Sequence, residues 1–185
     1  MGTTNRYKDL TIAVTGLNAT DNPGPGVTVI RSLRHAPDFE GRVIGLSYDT
    51  LDPGLYARDQ GIDAGYLIPY PSQGTEALLA RLAYIQDREG IDVLIPNLDS
   101  ELPSMMALED DIRRLGIRMY IPSREQFELR GKTKLNELGE SSNIDVPKGK
   151  VLMELKDLYS LHLDIPYPFM LKGVFYGATK VYSLD

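Results

Sequence analysis

Apolar runs that alternate with helix-forming stretches fill about the first 120 residues, and that alternation admits few folds. Leu10–Thr15, Arg42–Ser47, Gly65–Ile68, Asp92–Ile95 and Ile117–Ile121 read as five strands. Between them, Gly26–Arg34 carries Val27, Ile30 and Leu33 at helical spacing. Pro53 opens a short helix to about Gln60, which Gly61 stops. Thr75 caps an amphipathic helix that runs to Glu89, with Leu78, Leu79, Leu82 and Ile85 on one stripe and Gly90 past its end. Ser100 caps a further helix whose inner face is Leu102, Met105, Met106, Ile112 and Leu115. Strand–helix alternation with right-handed crossovers predicts an α/β domain built on a parallel five-stranded, doubly wound sheet.

The pattern changes after Pro122. Ser123 caps a short helix, and Lys132–Leu138 continues helical until Asp145-Val146-Pro147 breaks it. Val151-Leu152 reads as a strand and Glu154–Leu161 as a small helix. The strand Pro168–Leu171, a turn through Gly173 and Gly177, and a strand Lys180–Ser183 then predict a hairpin. A hairpin is not a sixth strand–helix unit, so residues 1–122 and 123–185 read as separate domains, the second α+β in character and cut short after its last strand. Charge divides at the same place. Residues 1–122 hold 11 basic and 17 acidic residues, residues 123–185 hold nine of each, and of eight lysines only Lys8 precedes the boundary.

Composition removes several classes of chemistry. With no cysteine the chain has no disulfide, thiolate metal site or cysteine nucleophile. His35 and His162 are its only imidazoles, which leaves a histidine-based metal site or triad poorly supplied. A net charge of −6 speaks against nucleic-acid binding. The sequence shows no apolar run of membrane-spanning length and no basic-then-apolar leader, so no membrane contact is expected, and the absence of cysteine fits a cytoplasmic chain.

Three stretches carry candidate chemistry. The loop GLNATDNPGPG after the first strand leads into a helix, an arrangement that places ligands at the carboxyl edge of a parallel sheet. Gly24-Pro25-Gly26 and Asp49 imitate the dinucleotide fingerprint, but a valine stands at the third glycine, the loop is long, and Pro25 lacks the N–H a phosphate cradle uses. The loop reads instead as a wall shaping a site for another ligand, or as a structural turn. Asn97-Leu98-Asp99-Ser100-Glu101 follows the fourth strand, with Asp99 and Glu101 placed either to cap a helix or to meet a ligand. Lys172 ends the apolar strand PFML directly before Gly173. An ammonium at a buried strand end calls for a partner, and a phosphate suits it. The histidines look incidental, and Asp110-Asp111 with Arg113-Arg114 reads as a solvated helix face.

Taken in order, these elements resemble the ATP-grasp superfamily, which includes biotin carboxylase, the large subunit of carbamoyl-phosphate synthase and D-alanine–D-alanine ligase. Arg130-Gly131-Lys132 precedes Asn143-Ile144-Asp145-Val146-Pro147 as a basic linker residue precedes the family's G-I-P-x-P-like segment. Tyr167–Gly173 looks like the family strand that ends in a lysine, and Phe175-Tyr176-Gly177-Ala178 stands where its Gly-rich loop belongs. The opening GLNATDNPGPG and the segment IPNLDSEL are most similar to carbamoyl-phosphate-synthase-like members.

The resemblance implies a Rossmann-like pre-ATP-grasp domain followed by the beginning of an ATP-grasp α+β domain. It implies ATP and Mg2+ as cofactors, with Lys132 and Lys172 on ATP and Gly173 and Gly177 letting a flap fold over the triphosphate. Lys134 stands as an alternative to Lys132. Asn18, Asn22, Gly24, Gly26, Asp99 and Glu101 would face the second substrate, a small carboxylate or amine. The implied chemistry is carboxylate–amine ligation through an acyl phosphate, with a homodimer as the implied assembly. Magnesium ligands are expected beyond residue 185, so the 185 residues alone are expected to be inactive. Two other classes stay open on the sequence: a stand-alone Rossmann-like module for NAD or another nucleotide, and a non-catalytic interaction domain.

Overall fold

The computed structural model describes residues 7–19, 24–56, 61–173 and 177–184. The chain forms two compact units, Met1–Ile121 and Pro122–Asp185.

In the first unit the strands are β1 (Thr11–Val14), β2 (Arg42–Ser47), β3 (Ala64–Leu67), β4 (Val93–Ile95) and β5 (Arg118–Met119). They form one parallel sheet in the order β3-β2-β1-β4-β5, with Ile12 opposite both Val43 and Val93. The sheet alternates side chains between two cores, as strand geometry requires. Ile12, Val14 and Val43 pack toward α1 (Pro25–His35) with Ile30. Ala13, Ile44, Leu46 and Leu94 pack on the other face with Leu78, Leu82 and Ile85 of α2 (Thr75–Glu89). Met105 of α3 (Leu102–Ala107) and Ile112 of α4 (Glu109–Arg114) complete that second core. The strand order reverses between β1 and β4. Doubly wound sheets open a crevice for ligands at that reversal, beyond the carboxyl ends of the strands.

Several boundaries differ from the sequence expectation. The predicted helix after Ser100 is two helices that break at Leu108, whose backbone has φ −102° and ψ 7°. Three acids, Glu109, Asp110 and Asp111, open the second helix, and Arg113 and Arg114 close it with ion pairs to Glu109 and Asp111. Such charges suit the two ends of a helix dipole and favour a fresh start there. Glu101, not Ser100, occupies the position before α3, and Gly74, not Thr75, the position before α2. The stretch from Pro53 is a 3-10 turn, Pro53–Tyr56, with residues 57–60 outside the described set. β5 is two residues long, because it pairs with a single, three-residue neighbour.

One polar cluster ties the edge strand β3 to the rest of the unit. Tyr66 OH donates to Glu89 Oε1, and Arg42 Nη2 donates to Glu89 Oε2 at 2.6 Å. The Tyr66 hydrogen bond, supported by Arg42, holds the Glu89 carboxyl below the usual carboxylate range. The same bond pushes the Tyr66 hydroxyl above the usual phenol value. A lowered acid stabilises the fold above the ordinary carboxylate range and loses that effect as pH falls through its folded value. A raised phenol stabilises below its ordinary value and loses that effect as pH rises through its folded value. Tyr66→Phe should therefore lower stability near neutral pH by about 1–2 kcal/mol. The deficit should shrink at both about pH 3 and about pH 11 in urea titrations followed by circular dichroism. A deficit of the same size at all three pH values would contradict this.

The second unit holds α5 (Arg124–Leu129), a 3-10 turn Lys132–Lys134, α6 (Leu135–Ser142), and an antiparallel hairpin of β6 (Phe169–Lys172) and β7 (Ala178–Val181). Ser123 caps α5 as expected: its Oγ accepts from Gln126 N at 3.2 Å, and the Gln126 side chain accepts from Ser123 N. Val151-Leu152 is not a strand, and Glu154–Leu161 is not a helix; 3-10 turns Leu155–Leu158 and Leu161–Leu163 stand there. Segments this short do not offset the cost of nucleating an α-helix. β7 begins at Ala178 rather than Lys180, because Gly173 N donates to Gly177 O and sets Lys172 opposite Ala178. His162 stacks on Tyr167 at 5.8 Å, and Tyr167 on Phe169 at 5.1 Å, so this histidine is part of an aromatic stack.

Candidate functional site

Each unit carries one cluster of predicted site residues. In the first, the loops after β1 and β4 meet at the reversal of strand order. Glu101 organises them. It is fully buried, and its Oε1 accepts from Thr15 Oγ1 at 2.5 Å, Asn97 N at 2.7 Å and Leu98 N at 2.9 Å. Its Oε2 accepts from Tyr48 OH at 2.5 Å, and Tyr48 stacks on Tyr70 at 5.5 Å. One carboxyl group thus joins the residues directly after β1 and β2 to the loop after β4. All four donors are uncharged.

Asn97 is locked within the same network. Its Nδ2 donates to Thr15 O at 3.1 Å and to Ile95 O at 2.9 Å. Two backbone carbonyls need donors there, which decides the orientation of the amide. Gly16, at φ +74°, lets it approach: a Cβ at Gly16 would stand 2.9 Å from Asn97 Cβ.

Gly24 and Gly26 have a structural reason. A Cβ at Gly24 would overlap the Asn18 carbonyl oxygen, and one at Gly26 would overlap Thr15 O. These glycines let the start of α1 lie against the end of β1. The start of α1 is a poor anion site, since Pro25 has no N–H and the Gly26 N–H is committed to Gly16 O at 2.9 Å. Asp99 is exposed on the loop after β4. Asn18 is half-buried and its Oδ1 has no hydrogen-bond donor among the described residues, while Asn22 lies outside them.

The second cluster sits on the hairpin. Lys132 is exposed and its Nζ donates to Gly173 O at 3.0 Å. Lys172 is exposed at the end of β6, and Lys134 is exposed on the same turn as Lys132. The strand end at Lys172 is exposed, not buried as its apolar run suggests. Only Phe169 of β6 is buried, and Met170 and Leu171 are 50% and 38% exposed. A two-stranded hairpin has no second layer of its own to cover its faces. Gly177 has φ +80° with open space around its Cβ position, so conformation is what requires a glycine there. Residues 174–176, including Phe175 and Tyr176, lie outside the described set.

No protein-family model matches the chain, and neither does any curated protein. Solved structures do match. Biotin carboxylase from Campylobacter jejuni, in a β-γ-ATP complex, matches with a TM-score of 0.58 and 18% identity over 97% of this chain and 40% of that one. An L-amino acid ligase from Bacillus licheniformis gives 0.59 and 16% over 96% and 40%. The biotin carboxylase domain dimer of Hydrogenobacter thermophilus 2-oxoglutarate carboxylase, with MgADP, ADP and bicarbonate, gives 0.56 and 16% over 95% and 38%.

The fold is like that of the N-terminal part of biotin carboxylase. The chain spans about 40% of the length of these structures, and its five-stranded parallel sheet and helices match the N-terminal part of biotin carboxylase-like ATP-grasp proteins. Among the described residues no helix is long and apolar enough to cross a membrane, and no group of three or more His, Asp or Glu is placed to hold a metal ion.

Sequence reasoning picked out Glu101 and Asp99 but passed over Thr15, Tyr48 and Asn97. Each is a polar residue within two positions of the end of an apolar strand, and that placement is the signal available for them.

Proposed function

We propose that this chain is the N-terminal portion of an ATP-dependent carboxylate–amine ligase of the ATP-grasp type, carbamoyl-phosphate-synthase-like and cytoplasmic. One observation carries this reading. The ATP-grasp-like fold covers nearly the whole chain, and its hairpin presents Lys172 at the end of β6 with Lys132 bonded to the turn behind it. In such a ligase a carboxylate oxygen takes the terminal phosphoryl group of ATP, and an amine then displaces phosphate from the acyl phosphate.

The residues present fit the nucleotide in part. Lys132 and Lys172 would supply exposed ammonium groups for phosphate oxygens, and Gly173 and Gly177 would shape the turn beside them. They do not fit a magnesium site, so the ion's ligands come from beyond residue 185 in this reading, and residues 1–185 alone turn over no ATP. Asn18, Asn22, Gly24, Gly26, Asp99 and Glu101 form the side facing the second substrate. Within that group Glu101 is a positioning residue, since both carboxyl oxygens are already committed. A homodimer is the proposed assembly.

In this reading the test uses the longer protein that would carry the magnesium ligands. Lys172→Met should reduce ATP turnover about a hundredfold or more while leaving the melting temperature unchanged. Wild-type turnover in that variant would reject the role of Lys172. Stabilisation of the chain by NAD and not by Mg-ATP would reject the ligase reading in favour of a dinucleotide-binding module.

A further inference from the structure

The loop after β4 offers a hydrogen-bond acceptor that the fold has oriented and left uncommitted. Asn97 spends both amide hydrogens on Thr15 O and Ile95 O, and its backbone N–H on Thr15 Oγ1 and Glu101 Oε1. Its Oδ1 has no donor among the described residues. Asn97 also lines an open groove of about 590 Å³ along α1, whose floor is largely apolar: Pro25, Val29, Leu33 and Ala36. A second acceptor without a donor among the described residues, Asn18 Oδ1, is buried on the adjoining loop. That loop lies close by, because Gly24 abuts the carbonyls of Asn18 and Gly16, and Gly16 abuts Asn97 and Pro25.

Acceptors without donors define what the groove lacks. An anion would face the Asn97 amide oxygen and a proline without an N–H. Among the described residues no basic side chain lines the groove. The surrounding sequence is acidic, with 17 acids against 11 bases over residues 1–122, which draws cations toward it.

We propose that the α1 groove binds a primary ammonium group on a short alkyl body, with Asn97 Oδ1 accepting from the ammonium and the apolar floor holding the chain. This deepens, and rests on, the reading of this sheet edge as the wall of the second-substrate site. It assigns that substrate as the amine.

The test is NMR titration of the 15N-labelled chain with butylammonium chloride. Saturable shifts should appear at the Asn97 side-chain amide and at the Thr28 and Ser32 backbone amides, with a dissociation constant of about a millimolar. Butyltrimethylammonium has the charge and the alkyl chain but no N–H, and should bind at least about tenfold more weakly. Acetate and inorganic phosphate should leave these signals unmoved. Ser32→Arg fills the groove without touching the bonds of Asn97, since Ser32 Oγ donates only to Thr28 O, and should weaken butylammonium binding about tenfold or more.

Equal binding of the quaternary ion, binding of the anions at these signals, the absence of a saturable response to butylammonium, or full affinity in Ser32→Arg would each overturn the proposal. These outcomes are separate from the Lys172→Met assay. If the amine response fails while Lys172→Met abolishes turnover, the groove assignment falls and the ligase reading stands.

Discussion

Gly26→Ala is expected to prevent the first unit from folding stably, with a loss above about 4 kcal/mol. The added methyl group would overlap Thr15 O and stand 2.9 Å from Gly16 O. Both obstacles are backbone, and the first follows a strand paired on both sides, so neither can move aside as a side chain would. Relief would require α1 to withdraw from the sheet and uncover Ile30 and the core it closes. The companion variant Gly90→Ala separates this effect from ordinary glycine conformation. Gly90 has φ +64° but nothing within 4 Å of its Cβ position, so alanine there should cost about 1 kcal/mol. Urea unfolding followed by far-ultraviolet circular dichroism measures both. Similar midpoints for the two variants would refute the close-approach account.

The second large effect is expected at Glu101. Glu101→Leu keeps a side chain of similar bulk but leaves the Thr15 and Tyr48 hydroxyls and the Asn97 and Leu98 amides short of an acceptor. A buried donor without an acceptor costs about 1–3 kcal/mol. Asn97 N retains Thr15 Oγ1, and the two hydroxyls can rotate, so the expected loss is about 3–5 kcal/mol rather than four full penalties. Glu101→Gln keeps one acceptor oxygen for the loop amides and offers an N–H2 group to Tyr48, whose hydroxyl can accept. It should recover more than half of the loss. The two variants would unfold alike if Glu101 merely filled space. A structural role also predicts that Tyr48→Phe, which leaves one acceptor oxygen, Glu101 Oε2, short of a donor, costs less than Glu101→Leu, which leaves several donors short.

Much of the frame is legible in local pattern. The apolar runs that became β1, β2 and β4, the stripe of Leu78, Leu82 and Ile85 on α2, and the capping box at Ser123 each report a preference that the chain holds within about ten residues. The hairpin was readable too, but its burial was not. A run such as PFML looks the same whether its strand lies between two layers or carries no second layer. Only the placement of Met170 and Leu171 in the folded chain shows the latter. The break at Leu108 escaped because its cause is a cluster of charges, not a proline or glycine.

The sequence by itself determined the α/β class and the change of character near Pro122. These follow from periodicity and composition, which need no knowledge of neighbours in space. Tertiary structure alone decided what the residues at the sheet edge do. Thr15 meets Glu101 across 86 positions and Asn97 across 82, because the order β3-β2-β1-β4-β5 sets β1 beside β4. That adjacency turns Glu101 inward and leaves Asn97 with an oriented, uncommitted oxygen, while the close approach of α1 to the end of β1 explains why Gly26 must be glycine. Hydrogen-bond commitments depend on which strands become neighbours, and strand order is a property of the assembled sheet rather than of any segment in it.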